Sequence, residues 1–360
     1  MAYLILVIFV LSCLLAYVED LLPKKYQLTL LFFFGFCLIL MCGLKEIGLD
    51  PDSDNYAQFY RSYYEDKSSQ EIESSFIVIA TVLNFFTDDP HAIFLFYALL
   101  GVSLKLLAFS RYDSDSKRLF LFLVIYLSYF YVVHDMMQIR TGVLSAMFLL
   151  AIHEIVDGRR WLALLYILIG SLFHVSGLAL IPILFFRNKP LTMIEKVIWT
   201  GVVLVSLVAT ASGGTIFDYL VEIPYVGDKL TIYQQAADIG MSASTINSFG
   251  VFHLISVALF VYLIFFADTI NDADCHYPIL IKTYAFGLLS YTLLGFVPDL
   301  AARTSFLYRT VTIILLADIV FTIKPKWIAV AVTELVALFY LNYGLQFIHF
   351  PLLWKTAGAD

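Results

Sequence analysis

Residues 119–156 read LFLFLVIYLSYFYVVHDMMQIRTGVLSAMFLLAIHEIV. Two apolar runs, Leu119–Val133 and Ile139–Val156, flank a short polar passage around His134, Asp135 and Gln138. Each run approaches the roughly 20 residues with which a helix crosses a bilayer. Neither alternates apolar with polar residues, as the strands of a membrane β-barrel do. The same pattern recurs outward along the chain. Ala2–Tyr17, Tyr26–Leu44 and Ala92–Phe109 precede it, and Val197–Ala211, Val251–Ala267, Ile279–Val297, Ser305–Ile323 and Trp327–Tyr343 follow. Over 360 residues, 61% are apolar, only 14% are charged, and the mean hydropathy is +0.86. Soluble domains carry about 25% charge, so a soluble enzyme, a disordered chain and a nucleic-acid binder are excluded. The expected fold is all-α: a polytopic transmembrane helical bundle of about 11–13 spans, forming one integral membrane domain over residues 1–360.

The stretch WLALLYILIGSLFHVSGLALIPILFF, residues 161–186, decides the topology. Basic residues gather in short loops: Lys24 and Lys25; Arg111, Lys117 and Arg118; Arg159 and Arg160; Arg187, Lys189 and Lys196; Lys324 and Lys326. All of them lie on the cytoplasmic side, as the positive-inside bias demands, if 161–186 is a hairpin turning near His174. A single tilted helix there would invert every later loop. The apolar piece Phe76–Phe86 is too short to span and reads as a membrane dip or surface helix. Residues 45–90 are then an external acidic and aromatic segment, with three basic and eight acidic residues in Lys45–Ser75. Residues 213–250 form a second external loop, with one basic residue and four acidic ones. The first run lacks a basic n-region and a small-residue cleavage site, and reads as a retained helix. Cys13, Cys37, Cys42 and Cys275 suggest no disulfide framework.

With this topology the exceptions stand out. Arg140, Arg303 and Arg309 are cations at outer helix ends, against the positive-inside bias. Snorkelling or an Asp299–Arg303 pair explains any one of them; three together point to a shared anion site, for which guanidinium forks are suited. His174, in Phe-His-Val-Ser-Gly, is either a hydrogen-bonded core residue or a reactive one at an outward turn. His134 and Gln138 stand one helical turn apart and read as sharing a face; a polar outer turn explains His134 and Asp135 equally well. Asp50-Pro51-Asp52-Ser53-Asp54-Asn55-Tyr56 begins like a calcium loop, but Asn55 and Arg61 occupy the positions that need Gly and Glu. It reads as a solvated turn, or with Asp52 as an external general base or weak cation ligand. Tyr56 begins an aromatic series suited to headgroup depth or to sugar stacking. No Walker loop, dinucleotide glycine pattern, CxxC, HExxH or G-x-S-x-G occurs, so no cofactor or metal is expected. Glu154, Asp318 and Glu334 lie in or near spans without forming an evident proton wire.

In order and spacing, several of these residues resemble the EpsG-like group of Wzy-type polysaccharide polymerases. Gly48, Asp52 and Tyr56 match its turn after the second helix. Ile139-Arg140-Thr141-Gly142 matches its Ile-Arg-Gln helix start, with Gln138 standing in for the Gln. Phe173, His174 and Ser176 match Phe-His-x-Ser, and Arg303, Ser305 and Tyr308 approximate Arg-x-Ser-x-x-Tyr. The resemblance implies a GT-C-like glycosyltransferase on the outer, periplasmic face of a bacterial cytoplasmic membrane. It would join undecaprenyl-pyrophosphate-linked repeat units into O-antigen or exopolysaccharide, with the lipid pyrophosphate as leaving group. Its partners would be those lipid-linked glycans, membrane lipids and a chain-length regulator, with no nucleic acid. Arg140, Arg303 and Arg309 would stabilise the leaving charge, and His174, His134 and Asp52, in that order, are the candidate bases. Gln138, Tyr56 and Tyr308 would bind substrate. The alternatives are an O-antigen ligase, a lipid-linked-sugar transporter or flippase, and an acyltransferase using the inner-side His153 or His276.

Overall fold

Every apolar run named above carries helix in the computed structural model, which describes residues 1–62, 73–113, 117–211, 247–295, 297–350 and 352. In chain order the helices are α1 (Ala2–Val18), α2 (Lys24–Gly43), α3 (Ser53–Arg61), α4 (Ser74–Asn84), α5 (His91–Tyr112) and α6 (Leu119–Ile125). The last continues as a π-helix over Tyr126–Met137. Then come α7 (Ile139–Val156), α8 (Arg160–Phe173), a 3-10 segment (Val175–Phe185) and α9 (Met193–Ala211). The chain ends with α10 (Val251–Phe265), α11 (Ala267–Ala273), α12 (Tyr277–Leu293), α13 (Pro298–Tyr308), α14 (Thr312–Ala317) and α15 (Lys326–Gln346). No strand occurs among the described residues. The chain is a polytopic helical membrane protein.

Seven helices among the described residues are long and apolar enough to cross a membrane, and the bent pair α10–α11, broken by 74°, makes an eighth. The sequence pattern led to a larger number because apolarity does not fix length: at about 1.5 Å per residue α8, one arm of the 161–186 hairpin, is roughly 21 Å long against a hydrocarbon core of about 30 Å, while α4 is short, as expected of Phe76–Phe86. The loop expected over 213–250 lies almost wholly outside the described residues.

The helices form two compact units: Met1–Leu184 with Leu316–Asp360, and Phe185–Leu315. In the sequence the first boundary falls beside the basic loop that holds Arg187, Lys189 and Lys196, and the second falls inside the apolar run Ser305–Ile323, where nothing marks it. In the first unit α7 packs against both α5 and α8, and α2 lies on α5. The π-helix is buried throughout and packs against α15. In contrast, α1 exposes Tyr3, Leu4, Val7, Val10, Leu11 and Leu14, the face expected of a helix against lipid.

One end of this unit gathers the basic loops. Lys326 reaches Asp20 at 2.6 Å and the carbonyl of Lys117, Arg118 pairs with Asp318, and Arg111 and Arg159 pair with Glu154. Arg118 also stacks over Phe122 and Phe321. Glu154 and Asp318 are thus counter-ions, while Glu334 accepts a hydrogen bond from Tyr17 at 3.1 Å. Arg160, which opens α8, donates to the carbonyl of Leu184. The chain therefore leaves this end along α8, turns at His174 and returns, as the hairpin reading requires. Gly177 permits the turn: a Cβ there would lie 2.6 Å from Ser171 Oγ and 2.9 Å from Leu144 of α7.

In the second unit α12 packs on α9, α10 and α13. Tyr277 and Tyr284 tie it to α10 by hydrogen bonds to the carbonyls of Leu263 and Ser256. Lys282 Nζ donates to the carbonyl of Arg187 at 3.0 Å. The four cysteines are free thiols.

Candidate functional site

The site is built on an apolar cluster. Tyr56 and Tyr60 of α3, Phe76 and Ala80 of α4, Ile93, Phe94 and Tyr97 of α5, and Ile139 and Val143 of α7 pack together, with Phe173 against them. Phe76 stacks on Tyr56 at 5.9 Å, and Phe173 meets Tyr97 edge-on at the same separation. Each polar residue of the site sits beside one of these anchors in sequence. Arg140 follows Ile139, His174 follows Phe173, Glu73 precedes Phe76 by one helical turn, and Tyr56 is itself a member. Burial of the anchors thus brings together groups that lie 17 to 118 residues apart.

Glu73 holds the group together. It occupies the N-cap position of α4 but makes no side-chain capping bond. Its carboxylate turns away from its own helix and pairs with Arg140. The same carboxylate accepts from the backbone N–H of Val175 at 3.4 Å and lies 3.9 Å from His174 Nδ1. Arg140 is also held by Tyr56: Nε donates to the phenol oxygen at 3.3 Å, and the guanidinium lies 5.4 Å from the ring centroid. Ser176 fixes His174, with its backbone N–H donating to Nδ1 at 3.2 Å and its hydroxyl 2.8 Å from the same nitrogen. The side chains of Arg140, Glu73 and His174 are 18%, 18% and 13% exposed, so the group is enclosed yet reachable. It offers a bidentate cation for an oxyanion, an imidazole for a proton, and a carboxylate facing both.

Two buried ion pairs brace this group. Lys45 is fully buried; it reaches Asp50 at 2.5 Å and the carbonyl of Met136, and lies 4.7 Å from the centroid of Phe94. It ties the loop that starts α3 to the end of the π-helix, four residues before Arg140. Lys105 of α5 donates to both carboxylate oxygens of Asp135, at 2.9 and 2.8 Å, and to the carbonyl of Gly142 at 2.7 Å, while Tyr126 donates to the same carboxylate. Asp135 therefore lies inside the bundle rather than in the polar outer turn expected of it.

The other candidates are each held in a different way. His134 is fully buried in the π-helix, and neither ring nitrogen has a hydrogen-bond partner among the described residues. The π-helix and the break at Gln138, whose φ is −92° and ψ 63°, replace the single α-turn expected to join His134 to Gln138. Gln138 is the N-cap residue of α7 and Asp52 that of α3. The acidic loop is organised by Asp50, which is consumed by Lys45, and by Ser53, whose hydroxyl accepts from the N–H of Gly48 at 2.8 Å. Arg303, Tyr308 and Arg309 belong to the second unit: Arg303 is exposed, Tyr308 packs on Phe286 at 4.9 Å, and Arg309 is buried. Among the described residues, Asp274, Cys275 and His276 bring three ligand-type atoms within 4.8 Å. Asp274 and His276 are bonded to one another at 2.8 Å, and no metal is assigned there.

Glu73 was not singled out from the sequence. A carboxylate just before an apolar helix reads as an ordinary N-terminal residue, and only its turning away from the helix reveals another role. Lys45 and Lys105 also passed as unremarkable, since charge at a span's end and one lysine within a span carry no sign of their partners.

The model of the EpsG family matches residues 28–356. The amylovoran biosynthesis protein AmsC of Erwinia amylovora is 25% identical over 295 residues, which cover 76% of this chain and 74% of AmsC. No solved structure matches.

Proposed function

The chain belongs to the EpsG family, and on that premise we propose that it polymerises lipid-linked oligosaccharide repeat units during exopolysaccharide or O-antigen synthesis. The observation that carries the proposal is the convergence of Arg140, Glu73, His174 and Tyr56 on one apolar foundation. Similarity to AmsC, named for amylovoran biosynthesis, agrees with a role in exopolysaccharide synthesis.

In the proposed reaction an acceptor sugar hydroxyl attacks the anomeric carbon of the donor glycan. The bond from that carbon to the phosphate oxygen breaks, and undecaprenyl pyrophosphate leaves. Arg140 faces the departing oxyanion, whose charge grows in the transition state. His174 takes the hydroxyl proton at Nδ1, the ring nitrogen that accepts from the Ser176 N–H, and the Glu73 carboxylate 3.9 Å from Nδ1 stabilises the imidazolium that forms. Tyr56 offers a ring face to sugar and holds the guanidinium. No nucleotide is needed, because the pyrophosphate carries the driving force. The basic end of the first unit is assigned to the cytoplasm by the positive-inside bias, and the Arg140 end to the outer face of the cytoplasmic membrane.

Complementation of a gene deletion tests this reading. Wild type restores a ladder of surface polysaccharide, whereas His174→Ala and Arg140→Ala, at wild-type abundance, leave a single repeat unit. Loss of all surface glycan in these variants would instead indicate a ligase or transporter, and a normal ladder would overturn the proposal.

A further inference from the structure

Asp135 precedes Arg140 by five residues and sits in a slot that two glycines open. A Cβ at Gly101 of α5 would stand 2.5 Å from Asp135 Oδ1 and 3.3 Å from the Gly142 carbonyl carbon. A Cβ at Gly142 of α7 would stand 2.8 Å from the same Oδ1 and 2.8 Å from the His134 carbonyl oxygen. A side chain at either position would therefore take the space that the carboxylate fills. Within the slot the polar groups are matched. Lys105 directs its ammonium protons to the two carboxylate oxygens and to the Gly142 carbonyl, and Tyr126 donates to Oδ2 at 2.7 Å. The Lys105 and Asp135 side chains are 0% and 1% exposed.

Lys105 thus clamps the chain on both sides of Arg140. One hold is Asp135, near the end of the π-helix; the other is Gly142, in the first turn of α7, whose carbonyl also accepts from the Ser145 hydroxyl at 2.9 Å. Between the holds lies the break at Gln138, whose N–H donates to the Val133 carbonyl at 2.9 Å, five residues back. A π-helix winds more widely than an α-helix, so its winding sets where the chain stands when α7 begins. Arg140 is the second residue of α7 and reaches Glu73 and Tyr56 from there. Stability alone does not call for this ion pair, because well-packed apolar residues of similar volume serve as well or better. A buried pair does admit one arrangement only, since any other register strands a charge.

We propose that Asp135 and Lys105 are positioning residues for Arg140. The pair holds the π winding and the first turn of α7 in the register that aims the guanidinium at Glu73 and Tyr56. Neither residue touches substrate; both act through the backbone that carries Arg140. The kinetic consequence rests on the polymerase reading, whereas the geometric one rests on these contacts alone.

Lys105→Met combined with Asp135→Asn tests this, because it removes both charges, strands neither, and leaves Tyr126 an acceptor. The unfolding midpoint of the full chain in neutral detergent should stay close to that of wild type. One readout is proximity. In otherwise cysteine-free protein carrying Arg140→Cys and Glu73→Cys, a short bifunctional thiol reagent should join positions 140 and 73, and the double substitution should lower the yield several-fold. The other readout is kinetic, with Arg140 and Glu73 intact. The kcat of polymerisation should fall by about tenfold with KM unchanged, as expected when an interaction made in the transition state is lost. A cross-linking yield that the double substitution leaves unchanged overturns the proposal, whatever the kcat, as does a parent protein that does not cross-link. A lowered yield with unchanged kcat, or with a wild type that polymerises nothing, upholds the positioning and contradicts the polymerase reading instead. Should the double variant fail to fold, Tyr126→Phe carries the test, since it removes one hydrogen bond from Asp135 and no charge. Both readouts should then fall in smaller measure, and an unchanged yield overturns the proposal.

Discussion

Arg140 and Glu73 differ in how they can be recognised. Arg140 is visible in the sequence because it breaks the positive-inside bias at the start of an apolar helix. Glu73 becomes visible only when α4 is seen to leave its capping position unused and to turn the carboxylate onto Arg140 and the hairpin tip. Arg140→Lys keeps the charge but loses the fork that pairs with Glu73 while donating to Tyr56, so a clear loss of polymer is expected on a surface-glycan gel at equal abundance. Lys45 makes a different prediction. It and Asp50 are a buried pair with side chains 0% exposed. Lys45→Met strands the carboxylate and should cost about 3–5 kcal/mol in stability, read from the unfolding midpoint. Lys45→Met with Asp50→Asn should recover much of that loss, and failure to recover would show that the lysine acts mainly through the Met136 carbonyl.

The hairpin at His174 was legible because charge asymmetry admits only one arrangement of Trp161–Phe186, and the Arg160–Leu184 contact agrees with it. Its tip should be reachable from outside. Val175→Cys, at a position 61% exposed, should react with an impermeant thiol reagent added to intact cells carrying otherwise cysteine-free protein. Labelling only after the inner face is opened would contradict the assigned sidedness. The π-helix was not legible: an apolar run from Leu119 to Val133 fits an α-helix as well, and only Asp135 turned onto Lys105 betrays the wider winding. Before α12, burial disfavours the charged imidazole of His276, but the hydrogen bond and charge of Asp274, aided by Cys275, outweigh it and raise its pKa to about 9. The charged pair therefore stabilises the fold below the ordinary imidazole value of about 6.5 and is lost as the pH rises through about 9. The unfolding midpoint should fall across that window, and Asp274→Asn should flatten the dependence.

At the scale of the whole chain, apolar periodicity was enough for the all-helical membrane fold, because spans must satisfy their backbone internally. It was not enough for the division into Met1–Leu184 with Leu316–Asp360 and Phe185–Leu315, since that depends on which apolar faces meet. The same limit applied to the site. Residue types at helix ends were readable, but the apolar cluster that joins Tyr56, Glu73, Arg140 and His174 depends on packing across five elements, α3, α4, α5, α7 and α8. The central claim, that these groups act as one reaction site, is tested most directly by a double-mutant cycle on the polymerisation rate of purified protein supplied with lipid-linked repeat units. Arg140→Ala and His174→Ala should each lower the rate by about 10²–10³. Adding Glu73→Gln to His174→Ala should cost little more, because residues that act as a unit are strongly non-additive. Losses that multiply, or a rate left at the wild-type level, would contradict the account.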